Sequence, residues 1–457
     1  MAKKIPEPTS RPRERAFLVG IEVQGGKRIL SLDDSLLELA RLADTAGLIV
    51  VGQLTQRITH PNPRTMIGSG KVEELKALVE ETMADVIIID DELSPRHQRE
   101  LEGLIGNNAR IMDRTALILD IFAQHAKTNE GMLQVQLAQY EYYLPRLTGA
   151  WTHLARQAGG GGGRAGKVGG VGLRGPGETQ LEVDRRSIRS QISHLKKELE
   201  KVRAHRKRYR FKRINSKIPL LSIIGYTNSG KSTLLNRLSH SNVLVADQLF
   251  ATLDPTTRRI ELQGGYQALI SDTVGFIQKL PTTLIEAFQA TLEEITESDL
   301  LLHIIDISHP NAQQQAQSVI ETLQEIGASH IPIIVILNKI DLLKDPLSSS
   351  YELSKFPNSI SISAFTGDGL PEMLMAIQKN LYENMIPINI KLPYSEGQLI
   401  SLFHESGQID RIEHQRGEVM IQGRIPGRLL ARYSNWKVSN FPEITETDIE
   451  IPFNPAD

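Results

Sequence analysis

No cysteine occurs among the 457 residues. Disulfides and thiolate metal centres are therefore excluded, and a reducing, cytoplasmic setting is expected. Long apolar runs are missing too: nothing approaches the roughly eighteen apolar residues of a membrane span, so no membrane partner is expected. The N-terminal MAKKIPEPTSRPRERAF is basic but has no apolar core behind it, which argues against a signal peptide. Net charge is also nearly absent, at −2. What is present must be sought in how the residues are distributed.

The small net charge hides an asymmetry. Between Arg164 and Arg213 there are sixteen Lys or Arg against five Asp or Glu, densest in KKELEKVRAHRKRYRFKR at 196–213. A charge run is ordinarily a solvated helix face, but one this one-sided points to a polyanion partner. Just before it, residues 159–177 read GGGGGRAGKVGGVGLRGPG, in which eleven of nineteen positions are glycine. Glycine loses the most freedom on ordering, so the stretch is either a slack linker or a loop that orders on a partner, with Arg164, Lys167 and Arg174 facing it.

The length implies several cores. Residues 1–14 read as a flexible start. Residues 15–116 alternate strand-like AFLVGIEV, LIVVGQLT and ADVIIID with helix-like DDSLLELARLADTAG and KVEELKALVEETM, a βαβα pattern that implies a small parallel sheet. Within it, Gly68, Gly70 and Lys71 of IGSGKVEEL form a glycine turn opening a helix. The turn lacks the full spacing of a phosphate loop, so a plain helix start is the better reading. Residues 117–216 carry two heptad seams, Leu133, Leu137, Tyr140, Leu144, Leu147 and Leu181, Ile188, Ile192, Leu195, Leu199, Val202. They predict an antiparallel hairpin with the glycine-rich basic loop (158–177) at its tip. Residues 217–383 form a nucleotide-binding unit and 384–440 a small α+β unit, followed by an acidic tail, 441–457. The expected fold is thus a multidomain α/β chain: an N-terminal α/β domain with a long helical hairpin, a domain with a mostly parallel sheet around a phosphate loop, and a C-terminal α+β domain.

The nucleotide motifs are specific as an ordered set. Strand IPLLSII runs into Gly225-Tyr226-Thr227-Asn228-Ser229-Gly230-Lys231-Ser232 and then helix TLLNRLSH. This is a complete phosphate loop in strand-to-helix context, whose N–H groups and helix N-terminus cradle phosphates. Lys231 is expected to bridge the β- and γ-phosphates and the Ser232 hydroxyl to bind Mg²⁺. Asp272-Thr273-Val274-Gly275 follows strand YQALIS, where the carboxylate reaches Mg²⁺ through water and the Gly275 N–H faces the γ-phosphate. Asn338-Lys339-Ile340-Asp341 supplies an aspartate able to accept both N1–H and the 2-amino group of guanine, donors that adenine lacks. Ser363-Ala364-Phe365 offers a backbone contact to the guanine O6. The substrate is therefore expected to be GTP. A switch threonine must come from Phe250-Ala251-Thr252-Leu253-Asp254-Pro255-Thr256-Thr257; by composition Thr252, Thr256 and Thr257 all qualify.

Together, ERAFLVGIE, IGSGKVEEL, RGPGETQLEVDRR, GYTNSGKSTLLN, FATLDPTTRR, DTVGFIQKLPTTLIEAF, NKID and SAFTGDG closely resemble the HflX GTPases over roughly residues 14–435. The resemblance implies a GTPase of the Obg–HflX group that binds the large ribosomal subunit. The glycine loop would then be pushed into ribosomal RNA near the peptidyl-transferase centre. It selects Thr252 as the second protein ligand of Mg²⁺, so that Thr252 stands with Lys231, Asp272, Gly275 and Asn228 in the expected catalytic group. In related GTPases an asparagine at the position of Asn228 helps hold K⁺ against the phosphates; the plainer role of Asn228 is to favour the tight turn. Phe276 stands where many GTPases carry a water-orienting glutamine, so slow intrinsic hydrolysis is expected. Two roles fit the resemblance: a ribosome-activated enzyme of splitting, rescue or recycling under stress, and a GTP-gated RNA clamp in assembly or hibernation. A monomer is expected in both.

Overall fold

The computed structural model describes residues 13–25, 30–106, 109–147, 180–215, 218–239, 249–250, 256–262, 266–279, 289–343, 354–383 and 385–438. The N-terminal segment 1–12, the glycine loop 158–177, Ala251 to Asp254 with Thr252, and the tail 441–457 lie outside the described residues.

The first sheet contains β1 (Arg15–Val23), β2 (Ile49–Ile58), β3 (Val86–Ile89) and β4 (Arg110–Asp113), all parallel, in the order β2-β1-β3-β4. Its central strands are nearly continuous apolar runs because helices cover both faces. Ala16 and Leu18 of β1 point to one face, with α1 (Leu32–Thr45) and α4 (Arg114–His125). Phe17, Val19 and Ile21 point to the other, with α2 (Ser69–Thr82) and α3 (Pro95–Ile105). Helix α1 starts where Ser31 accepts from the Asp34 N–H, an N-cap that fixes the chain's turn off the sheet. Helix α4 runs through residue 116, so the division placed there in the sequence falls inside a helix.

Helix α5 (Asn129–Tyr143) pairs with the 36-residue α6 (Gln180–Asn215). Leu133, Leu137 and Tyr140 meet Ile192, Leu195 and Leu199 along the expected seams. The first seam stops early, however: Leu144–Arg146 is a 3-10 turn, because Pro145 cannot sit inside a continuing α-helix. Leu144 and Leu147 are therefore not on α5. Asp113 ties this end of the hairpin down, accepting from the Tyr142 hydroxyl at 2.7 Å and pairing with Arg146 at 3.5 Å.

The second sheet orders its strands β10-β9-β8-β5-β7-β6. The parallel members are β5 (Leu220–Gly225), β7 (Gln267–Asp272), β8 (Leu300–Asp306), β9 (Ile333–Asn338) and β10 (Ile360–Ser361), and β6 (Thr256–Glu261) is the antiparallel edge. Leu221 and Ile223 of β5 pack with Leu234 and Leu235 of α7 (Lys231–Ser239) and with Met373 and Ile377 of α10 (Leu370–Gln378). Two further helices, α8 (Gln289–Thr296) and α9 (Ala312–Glu325), complete the described helices of this unit. The C-terminal unit is an antiparallel sheet, β11 (Met385–Pro393), β13 (Glu418–Pro426) and β12 (Gln408–Gln415), covered by α11 (Gly397–Ser406). No described helix is long and apolar enough to cross a membrane.

One core joins the first two units. Leu36, Leu39 and Phe122 share a buried cluster with Tyr226, Phe250, Phe276 and Ile277. The face of the N-terminal sheet that carries α1 and α4 is thus closed by the nucleotide domain, not by solvent.

Candidate guanine-nucleotide site

The fully buried strand β5 delivers its chain at Gly225 into the phosphate loop, and α7 begins at Lys231. Gly230 has φ +94°, and a Cβ there would overlap the Asn338 side-chain amide, so only glycine serves. Asn228 sits at φ +61°, the left-handed conformation that asparagine tolerates best among side-chain-bearing residues, which meets its expected turn role. Among the described residues, Thr227 Oγ1 and Ser229 Oγ are buried with no hydrogen-bond partner. Buried hydroxyls without partners are costly unless something fills the loop, and phosphate oxygens match them.

Lys231 Nζ donates to Gly225 O (3.2 Å) and Tyr226 O (2.8 Å), which holds it over the loop. Burial pushes its pKa down to about 8, opposed by Asp272 and reinforced by Lys339. A buried ammonium beside few anions is a receptor for added negative charge. Asp272 ends β7 beside Ile223, and its Oδ2 accepts from the Ser232 hydroxyl at 2.6 Å. A hydroxyl backed by a carboxylate on an adjacent element suits Mg²⁺, a hard cation, with Ser232 as the ligand and Asp272 reaching the ion through water. Thr273 Oγ1 donates to Ile223 O at 2.7 Å, fastening the start of the DTVG segment to β5. Among the rival switch threonines, Thr257 lies in β6 with its hydroxyl on Ser271 Oγ at 3.3 Å, and Thr256 opens that strand opposite Asp272.

The base end is equally ordered. Asn338 is buried; its Nδ2 donates to Ser229 O (2.8 Å) and its Oδ1 accepts from the Ala364 N–H (2.9 Å), so one side chain links three loops. Lys339, at φ +66°, pairs with Asp306 at 2.7 Å. Asp341, just past Ile340 in a 3-10 turn, is exposed apart from its Oδ1, which accepts from Ser363 Oγ at 2.6 Å. Phe365 is exposed, at 79%. The carboxylate is thus aimed while open to a ligand. By contrast, the Gly68–Lys71 turn offers no phosphate cradle: Gly68 N donates to Gln56 Oε1 at 3.0 Å and Lys71 pairs with Glu74 at 2.9 Å.

The sequence did not reveal that the N-terminal domain touches this site. Tyr226, the second residue of the phosphate loop, donates to Glu38 and accepts from the Gln278 N–H at 2.8 Å. Phe122 packs edge-on against Phe250, with centroids 4.7 Å apart. Lys279 donates to Asp90 O (2.7 Å) and Asp91 Oδ1 (2.6 Å). The one hint was an arginine inside the apolar stretch DRTALILD: Arg114 is fully buried, bridging Glu38 and Asp90.

Four family models match in succession: GTP-binding GTPase N-terminal over 33–123, GTP-binding GTPase Middle Region over 125–213, 50S ribosome-binding GTPase over 221–339, and HflX C-terminal domain over 351–448. The chain is 42% identical over 416 residues to the GTPase HflX of Escherichia coli K12, covering 90% of this chain and 94% of that protein. Over 415 residues it is 43% identical to the GTPase HflX of Alkalihalophilus pseudofirmus, with the same coverages, 90% and 94%. Among solved structures it is similar to a GTP-binding protein from Sulfolobus solfataricus in complex with GDP, at 25% identity and a TM-score of 0.40, covering 80% of this chain and 98% of that one.

Proposed function

This chain belongs to the HflX family of GTPases, and from that premise we propose that it binds the large ribosomal subunit and hydrolyses GTP to GDP and phosphate in ribosome splitting, rescue or recycling. The observation that carries the reading is the course of α6. Its 36 residues start just after the glycine loop and lead into β5 and the phosphate loop. At 1.5 Å per residue it spans about 54 Å, which separates its start, three residues after the glycine loop in sequence, from the phosphate loop it leads into. RNA near the peptidyl-transferase centre is the partner proposed for that glycine loop. Ordering a glycine-rich loop costs roughly 1–2 kcal/mol per residue, which calls for a large contact surface, and close backbone approach suits RNA.

At the site, Lys231 holds the β- and γ-phosphates. Asn338 shapes the pocket and Asp341 accepts the guanine donors, with the Ser363-Ala364-Phe365 segment offering one backbone contact to O6. Ser232 and Thr252 are the residues that would hold Mg²⁺, with Asp272 behind Ser232; bound there, it would supply neutralisation of the phosphates' negative charge. Gly275 donates its N–H to the γ-phosphate, which water attacks in line. Phe276 has no polar atom to orient that water, so the ribosome supplies the missing help. Asn228 is the residue proposed for K⁺, beside the turn role its backbone fulfils. The protein acts as a monomer in the cytoplasm.

The test reverses charge in the basic run that ends α6 before the phosphate loop, Arg206→Glu, Lys207→Glu and Arg210→Glu together, and follows ribosome binding by pelleting at several salt concentrations. The slope of log affinity against log salt is expected to flatten by about 2, at ~0.7 per lost phosphate contact, with intrinsic hydrolysis unchanged. An unaltered slope returns this run to a solvated helix face.

A further inference from the structure

Helix α5 ends beside the carboxyl ends of β3 and β4, and a buried arginine is fastened there. The 3-10 turn Leu144–Arg146 swings Arg146 back over its own helix. Its guanidinium lies 3.7 Å from the centroid of the Tyr142 ring, and Nη1 donates to Tyr142 O at 3.0 Å. Nη2 donates to Leu93 O at 2.5 Å and stands 3.5 Å from Asp113 Oδ2.

Asp113, the last residue of β4, is engaged just as fully. Its Oδ1 accepts from the Tyr142 hydroxyl at 2.7 Å and from the Ala116 N–H at 2.8 Å, and its Oδ2 accepts from the Leu93 N–H at 3.0 Å. Leu93, between β3 and α3, is thus gripped through both its N–H and its C=O. Burial, then the Asp113 charge, push the Tyr142 phenol's pKa up, so the hydroxyl stays protonated and donates.

Stability alone does not call for this arrangement. Arg146 is 7% exposed and Asp113 1%, and removing two such charges from water costs about as much as their attraction returns, so apolar side chains of similar volume would stabilise the fold as well. What a buried guanidinium adds is direction, because its planar fork satisfies several acceptors in one orientation only. That orientation matters because of where the turn stands in the chain. Leu147 is followed by segment 148–179, which carries the glycine-rich basic loop, and Gln180 then opens α6. Arg185, in the second turn of α6, donates to Leu147 O at 3.5 Å. Both roots of the segment therefore meet at this cluster, on the end of the N-terminal sheet. Holding a segment's ends together beforehand removes part of the ordering entropy from the binding step.

We propose that Arg146, with Asp113 and Tyr142, is a clamp that positions the roots of segment 148–179 for RNA. It acts through Leu93 and Leu147, touches no RNA itself, and strengthens binding to the large ribosomal subunit by keeping the roots in one place. The inference deepens the ribosomal reading and rests on it. Arg146, Asp113 and Tyr142 are positioning residues, unlike Arg164, Lys167 and Arg174, whose charges are proposed to meet the RNA directly.

The full-length chain tests this with Arg146→Gln, Arg146→Lys and Tyr142→Phe. Thermal midpoints and intrinsic GTP hydrolysis check folding, and Tyr142→Phe, which drops only a hydroxyl, carries the test if the Arg146 variants are unstable. Binding to purified large subunits is followed by pelleting at several salt concentrations. Both Arg146 variants are expected to bind about 10-fold more weakly, since lysine keeps the charge but not the fork, and Tyr142→Phe about 3-fold. All three should keep the wild-type slope of log affinity against log salt and the wild-type intrinsic hydrolysis. The chain has no cysteine, so Arg96→Cys on α3 and Ser187→Cys on α6 take spin labels selectively, and the distance distribution between them should widen in Arg146→Gln and in Tyr142→Phe. Unchanged affinity in all three variants overturns the clamp, as does a distribution as narrow as that of the wild type. A slope shallower by ~0.7 in Arg146→Gln that Arg146→Lys restores overturns it too, by making Arg146 a phosphate contact. A wild-type chain that does not bind large subunits overturns the ribosomal reading beneath, while the spin-label distances still decide whether the clamp holds the roots.

Discussion

Replacing Asp341 with asparagine tests base recognition with a magnitude that can be worked through. Ser363 Oγ donates to Asp341 Oδ1 at 2.6 Å. In Asp341→Asn the amide keeps that bond through its oxygen, because its NH₂ group accepts nothing. The NH₂ is thereby turned to the open side, where the carboxylate had faced the base. Guanine presents two donors there, so two charge-assisted bonds are lost and donor meets donor. Bonds to a charged group contribute about 1.5–3 kcal/mol each, so at least ~3 kcal/mol is lost, more than 100-fold in affinity. Xanthine carries a carbonyl where guanine has its amino group, so xanthosine diphosphate should gain while GDP loses. Asn338 keeps its bonds to Ser229 O and Ala364 N, so the pocket itself is preserved. The assay is competitive fluorescence titration with GDP and xanthosine diphosphate. A GDP loss under tenfold, with no gain for xanthosine diphosphate, refutes the assignment of Asp341.

Three other outcomes are expected. GTP hydrolysis should rise when K⁺ replaces Na⁺ at constant ionic strength, and Asn228→Ala should erase the difference; equal wild-type rates in both ions remove the potassium role and leave the turn alone. Burial, with Lys231 adding to it, pushes the pKa of His303 from 6.5 down to about 4. The unfolded chain therefore takes up a proton near pH 6.5 that the folded chain refuses. Stability from this source is complete above 6.5 and falls by on the order of 3 kcal/mol as pH drops towards 4. Thermal midpoints of His303→Leu should show a smaller acid loss than wild type, and parallel curves refute this. Phe276→Ala should do more than alter hydrolysis, since Phe276 is 2% exposed in the core shared by two domains; a loss of about 3–5 kcal/mol is expected, and an unchanged midpoint contradicts that packing.

The sequence displayed what is written locally. Apolar runs such as VIII and LLSIIG end at acidic or glycine-rich turns, so their strands and the loops they deliver could be placed. The heptad seam of α5 misled beyond Tyr143 because leucine spacing persists through Leu144 and Leu147 while Pro145 ends the helix. The motifs located the phosphate and base ends, and Asn338 links them as its spacing from the loop gave no means to foresee. What stayed hidden joins distant positions: Glu38, Asp90, Arg114, Tyr226 and Lys279 share no period and no motif. In sequence all but Arg114, which stands in an apolar stretch, look like ordinary surface charges or a loop tyrosine, and only the docking of two domains makes them one network.

The most direct measurement is sedimentation of purified intact ribosomes through a density gradient after incubation with this protein and either GTP or a non-hydrolysable analogue. The account predicts that intact ribosomes are replaced by separated subunits, with the protein travelling with the large one when the analogue is used and leaving it when GTP is hydrolysed. Intact ribosomes carrying the protein in both conditions would contradict the splitting role and favour a GTP-gated RNA clamp; no association in either would contradict the ribosomal reading altogether.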